Sequence, residues 1–159
     1  LEEEYRGSLE DQEEIETENR VIEKALEISE VDIPNGMVET QLDNEIRQFD
    51  NRLRTQGLDL EKYLELTGSK IEDLREQLKP AASNRVKVDL LLEAIVKEEN
   101  IEVTEEDIDE ELIKLSEQYG AEDKEEFIAD MKKGDLEFIK TGIANGKAVK
   151  LLVENAKFN

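Results

Sequence analysis

The sequence predicts an all-α protein. Three observations carry this. Apolar residues recur at three- and four-residue steps through most of the chain. Asp, Ser or Thr precedes these stretches and Gly follows them, where helix caps belong. No convincing strand of alternating apolar and polar residues stands out.

The first helix is predicted over 1–28, with Leu1, Tyr5, Leu9, Ile15, Ile22, Ala25 and Leu26 near one face, and Gly7-Ser8 weakening its first turns. The periodicity breaks between Ser29 and Gly36, where Pro34 cannot donate in a helix interior. A second helix runs from Met37 to Gln56 with Val38, Leu42, Ile46, Phe49 and Leu53 on one stripe, and Gly57 stops it. A short helix over 59–67 presents Leu60, Tyr63, Leu64 and Leu66 and ends at Gly68. Ser69 and Glu72 have the spacing of a capping box for the next helix, which Pro80 is expected to kink or split. From Val86 to Lys97 the pattern is apolar almost all round, which marks a buried helix and the expected centre of the fold. Ile101-Glu102-Val103 is an extended connector. Thr104 caps a helix with Ile108, Leu112, Leu115 and Tyr119 on its inner face, stopped by Gly120. Asp123 caps a short helix with Phe127, Ile128 and Met131, broken at Gly134. The last helix spans Asp135 to about Ala156.

Composition narrows the function. The chain has 43 acids against 21 bases, a net charge of −22. Such a surface repels nucleic acid and anionic membranes and attracts basic partners. Leu, Ile, Val and Phe number 45 of 159 residues, enough for a core but a thin one. There is no Cys and no His, which removes disulfides, thiolate chemistry and the usual general base. The chain opens on Leu1, not Met, and without a signal peptide, so it is expected to be cut from a longer protein.

Chemical motifs fail on their spacing. Asp107, Asp109 and Glu111 alternate like calcium ligands, but Leu112 stands where such a loop requires Gly. An acidic first helical turn accounts for them. Gly142-Ile143-Ala144-Asn145-Gly146-Lys147 is one residue short of a phosphate loop, and Ala148 stands where Ser or Thr is needed. Its small residues are read as allowing two helices to approach closely. No cofactor, no metal and no enzymatic activity are expected.

Two blocks carry a resemblance. Val31-Asp32-Ile33-Pro34, followed by Met37-Val38 and a long amphipathic helix, resembles the start of the C-terminal domain in the trigger factor family of bacterial ribosome-associated chaperones. Arg85-Val86-Lys87-Val88-Asp89-Leu90-Leu91-Leu92-Glu93-Ala94-Ile95, then Ile101-Glu102-Val103-Thr104-Glu105-Glu106-Asp107-Ile108, is similar to a later block of that family. Parvulin-type chaperones use a similar helix-connector-helix arrangement. The resemblance implies an elongated multi-helix domain with protruding helical arms flanking an apolar cradle. It divides the chain into a linker helix over 1–30, entering from an upstream domain, and a helical chaperone domain over 31–159.

It also implies a function: binding unfolded or nascent polypeptides in the cytoplasm and suppressing their aggregation. The family's ribosome-docking loop and prolyl isomerase domain find no match here and are expected N-terminal to Leu1. Partners are therefore unfolded chains, with the ribosome reached only through upstream parts, no nucleic acid and no membrane. A homodimer is compatible with this reading. The alternative is a helical scaffold or dimerisation domain without client binding.

A chaperone that accepts many sequences needs exposed apolar patches, and Met and Phe suit varied partners. The expected contacts are Met37, Val38, Leu42, Ile46 and Phe49 in one region, and Phe127, Met131 and Phe138 in another, with Met37, Phe49, Phe127 and Met131 foremost. Leu91, Leu92, Ile95 and Val96 are expected to be core. Leu92→Ala should then cost roughly 2–5 kcal/mol of folding stability. A denaturation midpoint that does not move would contradict the core assignment.

Overall fold

The computed structural model describes residues 2–156, with side chains from Leu9 onward. Leu1 and Tyr5 of the expected first stripe lie outside the described side chains. Among the described residues there are seven helices and no strand: α1 (Glu2–Ile28), α2 (Asn35–Thr55), α3 (Leu60–Thr67), α4 (Ile71–Glu98), α5 (Glu105–Gln118), α6 (Lys124–Lys133) and α7 (Glu137–Ala156). They form two compact units. One comprises 1–27 with 92–159, the other 28–91.

The 28–91 unit is held by α2 and the first part of α4. Pro34 is the N-cap of α2, and its carbonyl accepts from the Met37 and Val38 N–H groups at 3.0 and 3.4 Å. Val38, Leu42 and Leu53 of α2 and Leu74, Ala82 and Val86 of α4 are buried. Arg75 donates to Asp43 and to Glu39, both at 2.7 Å. These two carboxylates, Asp43 first, hold the guanidinium above its ordinary value. Gly57 after α2 and Gly68 at the C-cap of α3 adopt positive φ, where a Cβ would be strained.

Two expectations change here. The capping pair is Lys70 with Asp73, whose carboxylate accepts the Lys70 N–H at 2.9 Å. Ser69 stands one residue too early to cap α4, which begins at Ile71, and its own N–H closes the end of α3 on the Leu64 carbonyl. Pro80 does not split α4, which is one helix of 28 residues. A proline there costs about 3 kcal/mol in a free helix. Buried Leu74 on one side of it and Ala82 and Val86 on the other offset that cost.

The other unit centres on Ile108, Leu112 and Ile139, with Val103, Leu115, Ile128, Met131, Leu136 and Ile143 packed against them. α5 packs on both α6 and α7. Thr104 forms a full capping box with Asp107, and Asp123 caps α6 through the Glu126 N–H. Lys147 of α7 reaches across to donate to the Asp107 carboxylate at 2.6 Å and to the Glu102 carbonyl at 2.9 Å. One lysine thus ties the last helix to the connector and to the cap of α5.

The all-round apolar run of α4 is not the centre of a single fold. Leu91 and Leu92 are both buried, but the division between the units falls between them. Beyond Leu92 the run is only partly covered: Ala94 is exposed, and Ile95 and Val96, expected to be core, are half-buried. Tyr119, expected on the inner face of α5, is 74% exposed at its C-cap, and Leu66 of α3 is 77% exposed. Close helix approach at Gly142 and Gly146 is also absent, since a Cβ on either would meet nothing within 4 Å. The fully buried small residue of α7 is Ala148.

Asp107 supplies a pH test. The Lys147 ammonium, then the Thr104 N–H and hydroxyl, lower its carboxyl from an ordinary value of 3.8 to about 2. A carboxyl depressed in the folded state stabilises the fold fully above its unfolded value and loses that contribution as pH falls towards the folded one. Asp107→Asn should therefore lower the melting temperature at neutral pH and flatten the loss of stability between about pH 5 and 2. Acid sensitivity identical to the parent's would contradict the clamp.

Candidate binding surface

The eight expected contact residues fall into two groups, one in each unit. In the 28–91 unit α2 turns one face inward, and the helical period decides which residues follow it. Val38 and Leu42 are 7% and 2% exposed and belong to the core. Met37, one step round the helix, is 41% exposed. Ile46 and Phe49 are half-buried. Phe49 meets the Tyr63 ring edge-on at 5.1 Å, with the Arg52 guanidinium 6.0 Å from its own ring centre. This T-shaped pair fixes α3 against α2 and leaves only part of Phe49 to solvent.

A groove of about 610 Å³ lies at the start of α2. Ile33, Val38 and Pro80 form its apolar walls, with Asn35, Glu76 and Lys79 at its polar positions. The helix break and the proline within α4 thus frame one concavity.

In the other unit Phe138 is 89% exposed near the start of α7, one residue before the buried Ile139. Met131 packs against the Ile108, Leu112 and Ile139 cluster and is half-buried. Phe127 is also half-buried and lies 6.2 Å from the Tyr119 ring. Lys124 donates to Glu117 nearby at 2.8 Å and lowers the pKa of that carboxyl. α1 and α7 enclose a second groove of about 530 Å³, lined by Glu10, Glu13, Glu14, Glu18 and Glu154 with Lys150 and Val153. Its charge favours a basic occupant.

Sequence reasoning missed Ile28, Leu66 and Tyr119, which are 88%, 77% and 74% exposed. All three lie at or next to helix ends, where a stripe continues in sequence after the packing partner has run out. Proximity to a cap was the available signal. Among the described residues no group of three or more acidic, His or Cys side chains is placed to hold a metal ion. Asp107 pairs with Lys147, Asp109 with Lys132 and Glu111 with Lys114. No described helix is long and apolar enough to cross a membrane.

Comparison with known proteins identifies the family. The family model for the C-terminus of bacterial trigger factor protein matches residues 1–154. Trigger factor of Ruminiclostridium cellulolyticum is 46% identical over 142 residues, covering 89% of this chain and 33% of that protein. Trigger factor of Staphylococcus epidermidis is 41% identical over 162 residues, covering 98% and 36%. The chain spans about a third of the length of these curated relatives. A solved structure from work on domains of trigger factor from Thermotoga maritima superposes with a TM-score of 0.65 at 25% identity, over 87% of this chain and 80% of that one. The chain belongs to the bacterial trigger factor C-terminus family, a family of chaperones.

Proposed function

We propose that this chain is a polypeptide-holding module, which binds unfolded or nascent chains through exposed apolar side chains and suppresses their aggregation. The observation that carries this reading is Phe138, a large aromatic 89% exposed on a helix whose next residue is core. A Phe left in water on an anchored helix gains nothing for folding, and burial against a partner recovers its apolar area. Met37 supports the reading in the other unit, since its unbranched thioether adapts to varied partners. Half-buried Ile46, Phe49, Phe127 and Met131 serve as the margins of the two surfaces, and Val38 and Leu42 hold α2 in place beneath Met37.

The acidic surround has two consequences. It keeps copies apart at a net charge of −22, and it draws basic segments of a client towards the apolar contacts. Binding needs no catalytic group, and the module is proposed to be non-enzymatic and cytoplasmic. Residues 31–159 carry the holding surface and 1–30 form the lead-in helix. No ribosome contact is assigned to these residues.

The test is suppression of aggregation of a denatured client by the chain. Phe138→Ser combined with Met37→Gln should weaken suppression several-fold while the melting temperature stays close to the parent's. Leu42→Ala should instead cost roughly 2–5 kcal/mol of stability. Full suppression by the stable double variant would place the client surface elsewhere or favour a scaffold role.

A further inference from the structure

We infer that Asn35–Gly36 is a site of spontaneous deamidation, and that the fold restricts this chemistry to one of the chain's two Asn-Gly dipeptides. In the reaction the Gly36 amide nitrogen loses its proton to solvent base and attacks the Asn35 side-chain carbonyl carbon. The bond from that carbon to Nδ2 breaks, and Nδ2 takes up a proton and leaves as ammonia. The resulting succinimide is opened by water at either carbonyl, giving Asp or isoAsp. Water enters, ammonia leaves, and no electron is transferred. Glycine in the following position favours the attack because it has no Cβ to obstruct the ring.

Asn35–Gly36 and Asn145–Gly146 share this covalent chemistry but not their surroundings. Asn35 is the first residue of α2, and Pro34 before it offers no side-chain cap. The N–H of Gly36 is among the first of the helix, where no preceding turn supplies a carbonyl. The Pro34 carbonyl is taken by Met37 and Val38 instead. Both Asn35 and Gly36 are exposed, and a Cβ on Gly36 would meet nothing within 4 Å. Ring closure there needs only the terminal turn to open.

Asn145–Gly146 lies in the middle of α7, between Glu137 and Ala156, and Asn145 is half-buried. There the Gly146 N–H is engaged by the carbonyl four residues earlier. Ring closure would require opening the helix from within, against its cooperativity. Reaction at Asn35 adds a negative charge at the positive end of α2, in the groove it shares with Lys79 and two residues ahead of Met37. The isoAsp product also lengthens the backbone by one carbon at the first helical position, disturbing the turn that Pro34 closes.

The experiment is to age the intact chain in warm, mildly alkaline buffer and follow both sites by peptide mapping with mass spectrometry. Conversion at Asn35 should outpace Asn145 by on the order of tenfold or more in the folded protein. In concentrated urea the two rates should converge. Gly36→Ala, which the open space accommodates, should suppress conversion at position 35 and leave position 145 unchanged. Equal rates in the folded chain, or a difference that persists in urea, would overturn the inference.

Discussion

Scarcity of buried apolar surface governs this molecule. Among the described residues, each unit rests on a handful of fully packed side chains, Leu42 in one and Leu112 in the other being nearly inaccessible. Removing a single such side chain takes away a large share of the stability of a domain whose margin is small. With 43 acids on the chain, repulsion adds to the burden. Polar interactions at helix ends therefore carry more of the structure than they would in a protein with a deep core. The Thr104–Asp107 box, the Lys147 clamp onto it and the Arg75 bridge to Asp43 and Glu39 all fix where a helix sits.

The same scarcity bears on binding. A thin core buries one narrow stripe of each helix and leaves the adjacent apolar residues in water. Met37 beside Val38, and Phe138 beside Ile139, show the pattern in α2 and α7. Each pair combines an anchor with an exposed neighbour. The exposed member adds little to its core, which is why the proposed client contacts lie there.

Much of the fold was legible because helix ends are written locally. Pro34, Gly68, Thr104, Gly120 and Asp123 each act through their own turn, and their positions follow from side-chain chemistry alone. The stop at Gly68 also shows the limit. The Ser69 N–H closes the preceding helix and α4 begins at Ile71, so the capping pair is Lys70 with Asp73, one residue later than the spacing suggests. Periodicity located the apolar faces but not their partners. Tyr119 and Leu66 continue their stripes and emerge into solvent, while Val38 and Leu42 sit on the expected contact stripe and are core. Continuity through Pro80 depends on burial to either side of it, which is tertiary information. The division between Leu91 and Leu92 likewise appears only once the chain is folded.

The central claim is that exposed apolar side chains on stably anchored helices hold unfolded polypeptide. Methyl NMR of the chain, titrated with a permanently unfolded polypeptide, tests it most directly. The account predicts that the Met37 methyl resonance shifts or broadens, while those of Leu42 and Leu112 keep their positions. Perturbation centred on Leu42 and Leu112, or none at Met37 under saturating polypeptide, would contradict it.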